Sequence, residues 1–171
     1  MTYLPAYAVS LGIERTRAAY LISIIGIANV VGRPVAGLIT DCMSIPSIWL
    51  YSCALVLGAA TNFGFALCSS YYLLAACAGI FGFCMGVVVS MRTIVLAEQM
   101  GVESLTESFG VVALFQGISF TVWPPIAGGM IDEFKSSRPP FWLTAGMYSI
   151  AAICTLCAGW LNKKRVGKEI L

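Results

Sequence analysis

The run IANVVGRPVAGLITD, residues 27–41, sets a permanent cation, Arg33, inside an apolar stretch. The carboxamide of Asn29 stands one helical turn before it, and the carboxylate of Asp41 two turns after it. The 3.6-residue period puts Ser23, Gly26, Asn29, Arg33 and Gly37 on one stripe. A guanidinium is planar, can hold a carboxylate through two parallel hydrogen bonds, and gives up its water more readily than an ammonium does. Asn29 can orient either partner by hydrogen bonding but carries no titrating proton, so it supplies polarity without a switch. Pro34 removes a backbone hydrogen bond and clashes one turn back, which opens the helix near the carbonyl of Val30, beside the polar stripe. The chemistry on offer is reversible anion binding. The alternative is structural: Arg33 reaches the membrane interface or bridges to Asp41, across about 12 Å of helix rise.

No other set of residues offers catalysis. The chain has no His, so it has no Ser–His or Cys–His couple, and it carries no phosphate-binding loop. Its seven cysteines, at 42, 53, 68, 77, 84, 154 and 157, lie mostly in apolar runs and read as small packing residues. Cys154-x-x-Cys157 sits in an apolar helix with no second ligand pair, and an odd count argues against a full disulfide framework. The expectation is no enzyme, no metal and no cofactor. A net charge of +2 without a basic patch also argues against nucleic acid as a partner.

The elements that must position Arg33 follow from composition. Of 171 residues, 59% are hydrophobic and 11% charged, where a soluble domain carries roughly a quarter charged. A bilayer is the solvent this predicts. Five stretches reach the ~20 apolar residues a transmembrane helix needs, at roughly 18–39, 47–68, 71–94, 107–130 and 139–161. A shorter apolar run at about 3–12 would cover only ~15 Å as a helix and reads as the second half of a cut span. Most of the charge falls in the connections and in a tail over 162–171. The fold class expected is all-α, a polytopic membrane helix bundle with five full spans and a truncated first one. No signal peptide is read at the start of the sequence. The basic cluster Lys163, Lys164, Arg165 and Lys168 places the C-terminus in the cytoplasm, against a weaker opposing vote from Arg15, Arg17, Lys135 and Arg138. An Arg near a span centre costs about 2.5–3.5 kcal/mol on insertion scales, so Arg33 must face a cavity or a partner.

The other spans carry small-residue faces. Gly79, Gly82, Gly86 and Ser90 form a stripe that favours close helix packing, while Arg92 lies on another face and is expected to snorkel or meet Glu98. In 107–130, Gly110, Ala113, Gly117, Thr121, Pro124 and Gly128 share a side, and Pro124–Pro125 is expected to bend or break the helix. Gln116 and Trp123 could line a path or simply pack.

Three runs in order, GRPVAGLITD closing one span, GIFGFCMG in another and WPPIAGGMIDEF after a bend, resemble the C-terminal half of the monocarboxylate transporters of the major facilitator superfamily. The resemblance covers nearly the whole chain. It implies helices eight to twelve preceded by the back half of helix seven, in a twelve-helix plasma-membrane transporter. The anion-pairing Arg-Pro of helix eight then falls on Arg33 and Pro34. Lactate-type members carry an Asp four residues earlier, implicated in proton coupling, where this chain has Asn29. The helix-ten substrate contacts fall near Met85 and Val89, neither of which matches the family pattern, with Ser90 adjacent. The expected binding set is therefore Arg33, Asn29, Ser90 and Met85, with Pro34, Pro124 and Pro125 as bending points. The resemblance also implies as partners a small organic anion, a coupling ion, an N-terminal six-helix half absent from this sequence, and the single-span ancillary glycoprotein that escorts some relatives. The competing expectation is a truncated, non-transporting scaffold or regulatory short form.

Overall fold

The computed structural model describes residues 4–43, 46–68, 70–101, 104–134 and 139–169. Tyr3, the turn residue Ser69, the loop cations Lys135 and Arg138, and the final Ile170 and Leu171 lie outside the described residues. The described residues form six helices joined by short turns: α1 (Leu4–Ser10), α2 (Arg15–Met43), α3 (Ser47–Leu67), α4 (Tyr71–Met100), α5 (Leu105–Phe134) and α6 (Pro139–Glu169). Helices satisfy their own backbone polar groups, which is what a chain this apolar requires in hydrocarbon. Among the described residues, the five helices α2 to α6 are long and apolar enough to cross a membrane.

Two glycines end helices by adopting conformations that a side chain would strain. Gly12, at φ 82°, turns the chain from α1 toward α2, and Gly101, at φ 79°, closes α4 with its N–H on the carbonyl of Ala97 at 3.0 Å. The helices outrun the apolar stretches that mark them. At ~1.5 Å per residue, 29-residue α2 is about 43 Å long. Its ends, with Arg15 and Arg17 at one and Asp41 at the other, project past a core of ~30 Å. Its middle residue is Asn29. Likewise α6 runs unbroken to Glu169, so most of the segment read from sequence as a tail continues the helix.

The packing centres on α4 and α3. α2 lies along α4, α4 along α3, and α3 along α6, while α1 caps α2 and α5 touches α4 and α6 only lightly. One core gathers Tyr7, Phe65, Phe81 and Phe141 around Leu21 and Leu74, with Phe65 and Phe141 rings 5.7 Å apart. A smaller one joins Ala36, Ala54, Val87 and Met91. The α2–α4 seam is held close by glycine, as the small-residue stripe predicted. A methyl added to Gly82 would lie 2.8 Å from the Cα of Ile25, and one added to Gly32 would lie 2.5 Å from the carbonyl oxygen of Phe83.

Of the two outcomes expected at Pro124–Pro125, a bend or a break, the break is absent: α5 is continuous from Leu105 to Phe134, as α2 is through Pro34. Membrane helices tolerate proline where neighbouring helices, hydroxyl side chains or water can satisfy the freed backbone groups, and the carbonyls left without i+4 donors are those of Val30, Phe120 and Thr121. Arg92 also has a different partner. It donates from Nη1 to Oε1 of Gln116 on α5 and sits 5.5 Å from the Phe109 ring centre, while Glu98 accepts instead from Ser47 Oγ at 2.7 Å.

Candidate functional site

Asn29 and Arg33 meet as the one-turn spacing requires. Arg33 Nε donates to Asn29 Oδ1 at 3.2 Å. Asn29 is half-buried and Arg33 exposed, so the guanidinium is steered from its inner edge and open at its outer one. The alternative bridge to Asp41 does not form; Asp41 is itself exposed, two turns further on. The backbone beneath the pair is fixed by α4. A methyl on Gly86 would press on the Asn29 carbonyl and lie 3.1 Å from Gly32 Cα and 3.2 Å from Arg33 N. Gly86 therefore sets how near α4 comes to the two polar residues.

The other expected residues divide. Ser90 is half-buried and, one turn beyond Gly86, continues the α2-facing stripe toward the Arg33 side. Met85 leaves that face: its sulfur accepts a hydrogen bond from the Tyr148 hydroxyl of α6 at 3.0 Å, and it lines a cavity of about 390 Å³ with Asn62, Phe81 and Trp123. Pro34 is exposed beside Arg33, and Pro124 and Pro125 are exposed on α5, away from the pair in sequence and helix. Ser23 and Gly26 line a groove along α2 with Ile27, Val30 and Val31.

Four polar residues of the interior were not singled out by sequence reasoning in the roles they hold. Asn62 is fully buried on α3, donates from Nδ2 to the Gly58 carbonyl at 2.7 Å, and keeps Oδ1 without a partner among the described residues. Gln116 ties α5 to α4 through Arg92. Ser47 and Tyr148 link helices through hydroxyls. The available signal was an amide or hydroxyl inside an apolar run, which Asn62 gives plainly in GAATNFGF. Among the described residues, no cluster of three or more metal-ligating side chains is found.

A bundle of membrane-length helices with a cation on a glycine-packed span has a known counterpart. The family profile for the Major Facilitator Superfamily matches residues 1–170, and the chain belongs to that superfamily of transporters. Within it, the relatives are monocarboxylate transporters, not enzymes. The chain is 31% identical over 154 residues to Monocarboxylate transporter 7 of Homo sapiens, covering 89% of this chain and 29% of that protein. It is 33% identical over 143 residues to Monocarboxylate transporter 12 of Rattus norvegicus, covering 82% of this chain and 29% of the relative. With Monocarboxylate transporter 4 of Rattus norvegicus it shares 28% over 173 residues, 97% of this chain and 37% of the relative. The chain thus spans 29% to 37% of the length of these relatives.

Proposed function

We propose that this chain forms the C-terminal half of a secondary transporter that moves small monocarboxylates across the plasma membrane by alternating access, with its C-terminus in the cytoplasm. The observation that carries the reading is the state of Arg33: a cation on a helix long and apolar enough to cross a membrane, oriented by a neutral amide and, among the described residues, not paired with a carboxylate. A guanidinium has five N–H donors. With Nε given to Asn29, its Nη groups remain to grip a carboxylate end-on through two charge-assisted bonds. Ser90 would contribute a hydroxyl from α4, and the carbonyls freed by Pro34 and Pro124–Pro125 mark where α2 and α5 flex. The opposite wall of the cavity would come from six further helices, since the two halves of this fold rock about a site at their interface. Asn29 offers no proton relay, so substrate movement would be only weakly coupled to a pH gradient, and a coupling ion, if used, would bind elsewhere. An ancillary single-span glycoprotein is a reasonable escort by analogy with some relatives.

The test is saturable uptake of labelled monocarboxylates by cells producing the chain fused behind the first six helices and the front half of helix seven of a monocarboxylate transporter. Arg33→Ala should abolish uptake at unchanged surface level. Arg33→Lys, which loses one of two parallel bonds, should raise the half-saturation concentration about 10- to 100-fold. Unchanged uptake in Arg33→Lys refutes the two-point grip. A scaffold that docks other helices is the second reading, favoured by one observation: the most apolar stretch of α5 has no buried residue. Reconstituted alone, such a scaffold binds no labelled carboxylate, whereas an anion site loses binding on Arg33→Ala.

A further inference from the structure

A second guanidinium stands on a membrane-length helix. Arg92 of α4 lies six residues past Gly86, the glycine that touches the Arg33 backbone, and so ~9 Å of helix rise further toward the Met100 end. Because successive spans alternate in direction, that end shares a side of the membrane with the C-terminal end of α6. The side chain does not reach for the interface. Arg92 stands eight residues before Met100, ~12 Å from the end of α4, while its partner Gln116 stands eleven residues after Leu105, ~17 Å from the start of α5. Helical side chains lean toward the N-terminus of their helix, so Arg92 leans back into the span, with the Phe109 ring centre 5.5 Å from the guanidinium on its outer side. The cleft around it is loosely filled: α5 touches α4 only lightly, and the most apolar stretch of α5 has no buried residue.

The two cations are held alike. Arg33 donates to the carboxamide of Asn29 and Arg92 to that of Gln116, and among the described residues neither meets a carboxylate. An amide orients a guanidinium without cancelling its charge. Of the Arg92 nitrogens, Nη1 serves Gln116 and Nε is enclosed, whereas Nη2 is neither enclosed nor hydrogen-bonded among the described residues. An uncompensated cation inside a span is costly, and a mobile anion would offset that cost. We propose that Arg92 and Gln116 form a second anion site, in which Nη2 takes the carboxylate of the same monocarboxylate that Arg33 binds. The proposal rests on the anion reading of Arg33 and extends it by giving the anion a second stopping place nearer the cytoplasm. A lipid phosphate is the competing anion, and the lean of Arg92 away from the interface favours the solute.

The experiment reads each guanidinium separately and needs no transport. The full chain, in nanodiscs of phosphatidylcholine, is treated with phenylglyoxal, which modifies open guanidinium nitrogens, and the rate at Arg33 and Arg92 is measured by peptide mass spectrometry at rising propionate and constant ionic strength. Exposed Arg15 and Arg17 serve as internal references. Expected is a saturable slowing at both Arg33 and Arg92, about tenfold at saturation, with the references unchanged. Gln116→Glu keeps an acceptor on Nη1 but supplies its own carboxylate, so propionate should no longer protect Arg92 while Arg33 keeps its midpoint. The unsubstituted chain decides the proposal even if that variant does not fold. Protection at Arg33 alone overturns the second site and leaves the anion reading standing; protection at Arg92 alone overturns the Arg33 reading on which the proposal rests. Equal slowing at Arg92 by neutral propionamide, or slowing by phosphatidylglycerol in the disc without propionate, would give this cation to a neutral solute or a lipid phosphate and overturn the proposal as well.

Discussion

Gly86→Ala adds one methyl at the point where α4 meets the backbone of the candidate site. That methyl would sit 3.1 Å from Gly32 Cα and 3.2 Å from Arg33 N, against the Asn29 carbonyl. Carbon atoms prefer ~3.5–4.0 Å, so α2 and α4 must part by roughly half an ångström. No flexible side chain end can yield at the closest contacts, because the three nearest atoms are all backbone. Overpacking of this kind costs about 1–3 kcal/mol, and alanine's better helix propensity returns up to ~1 kcal/mol. The net loss is about 1–2 kcal/mol, or roughly 2–8 °C in Tm for a chain of this size. Gly37→Ala on α2 is the control, because a methyl there meets nothing within 4 Å and brings only the propensity gain. Thermal unfolding of both variants in one detergent measures the difference, and anion uptake shows whether displacing Asn29 and Arg33 weakens the grip. Equal Tm values for the two variants would refute the glycine-limited seam and the positioning argument built on it.

Asn29→Asp puts a carboxylate on Arg33 Nε, where it competes with a substrate anion until it is protonated. Uptake in this variant should strengthen about tenfold as pH falls through the carboxylate range, while the unsubstituted protein stays nearly flat; the half-saturation constant at a series of pH values decides it. Gln116→Leu removes the acceptor from half-buried Arg92, whose Nε already lacks a partner among the described residues, and should cost about 2–3 kcal/mol. Because that bond is one of few ties holding α5, hydrogen exchange should quicken across Leu105–Phe134 and not across Ser47–Leu67; a uniform change would contradict the assignment. Ser47→Ala breaks the bond from α3 to Glu98, but Glu98 is exposed and water replaces the donor, so about 1 kcal/mol in chemical unfolding is expected.

What was legible in the sequence was what depends on one helix at a time. Apolar runs marked the spans, and one-turn spacing brought Asn29 to Arg33. The stripe through Gly82 and Gly86 announced a close approach, though not that its partner would be the very backbone carrying Asn29. Helix ends were harder to read, since backbone hydrogen bonding continues past the last apolar residue; α6 runs on through a basic stretch, which its C-terminal dipole favours. Contacts between distant helices could not be read from spacing. Arg92 had Glu98 nearby in sequence, yet packing put Gln116 across from it, and Met85 turned toward α6 because Tyr148 stands there.

Asn29 and Arg33 belong to one turn of one helix, so in the proposed cycle the cation travels with its own support and breaks no ion pair when α2 tilts. Unloaded, the moving part carries a net positive charge through the electric field; with a monoanion aboard it carries none. A full elementary charge is worth about 2.3 kcal/mol per 100 mV, and the site would feel only the fraction of the field it crosses. Membrane voltage would therefore set the pace of the empty return and leave the loaded step alone.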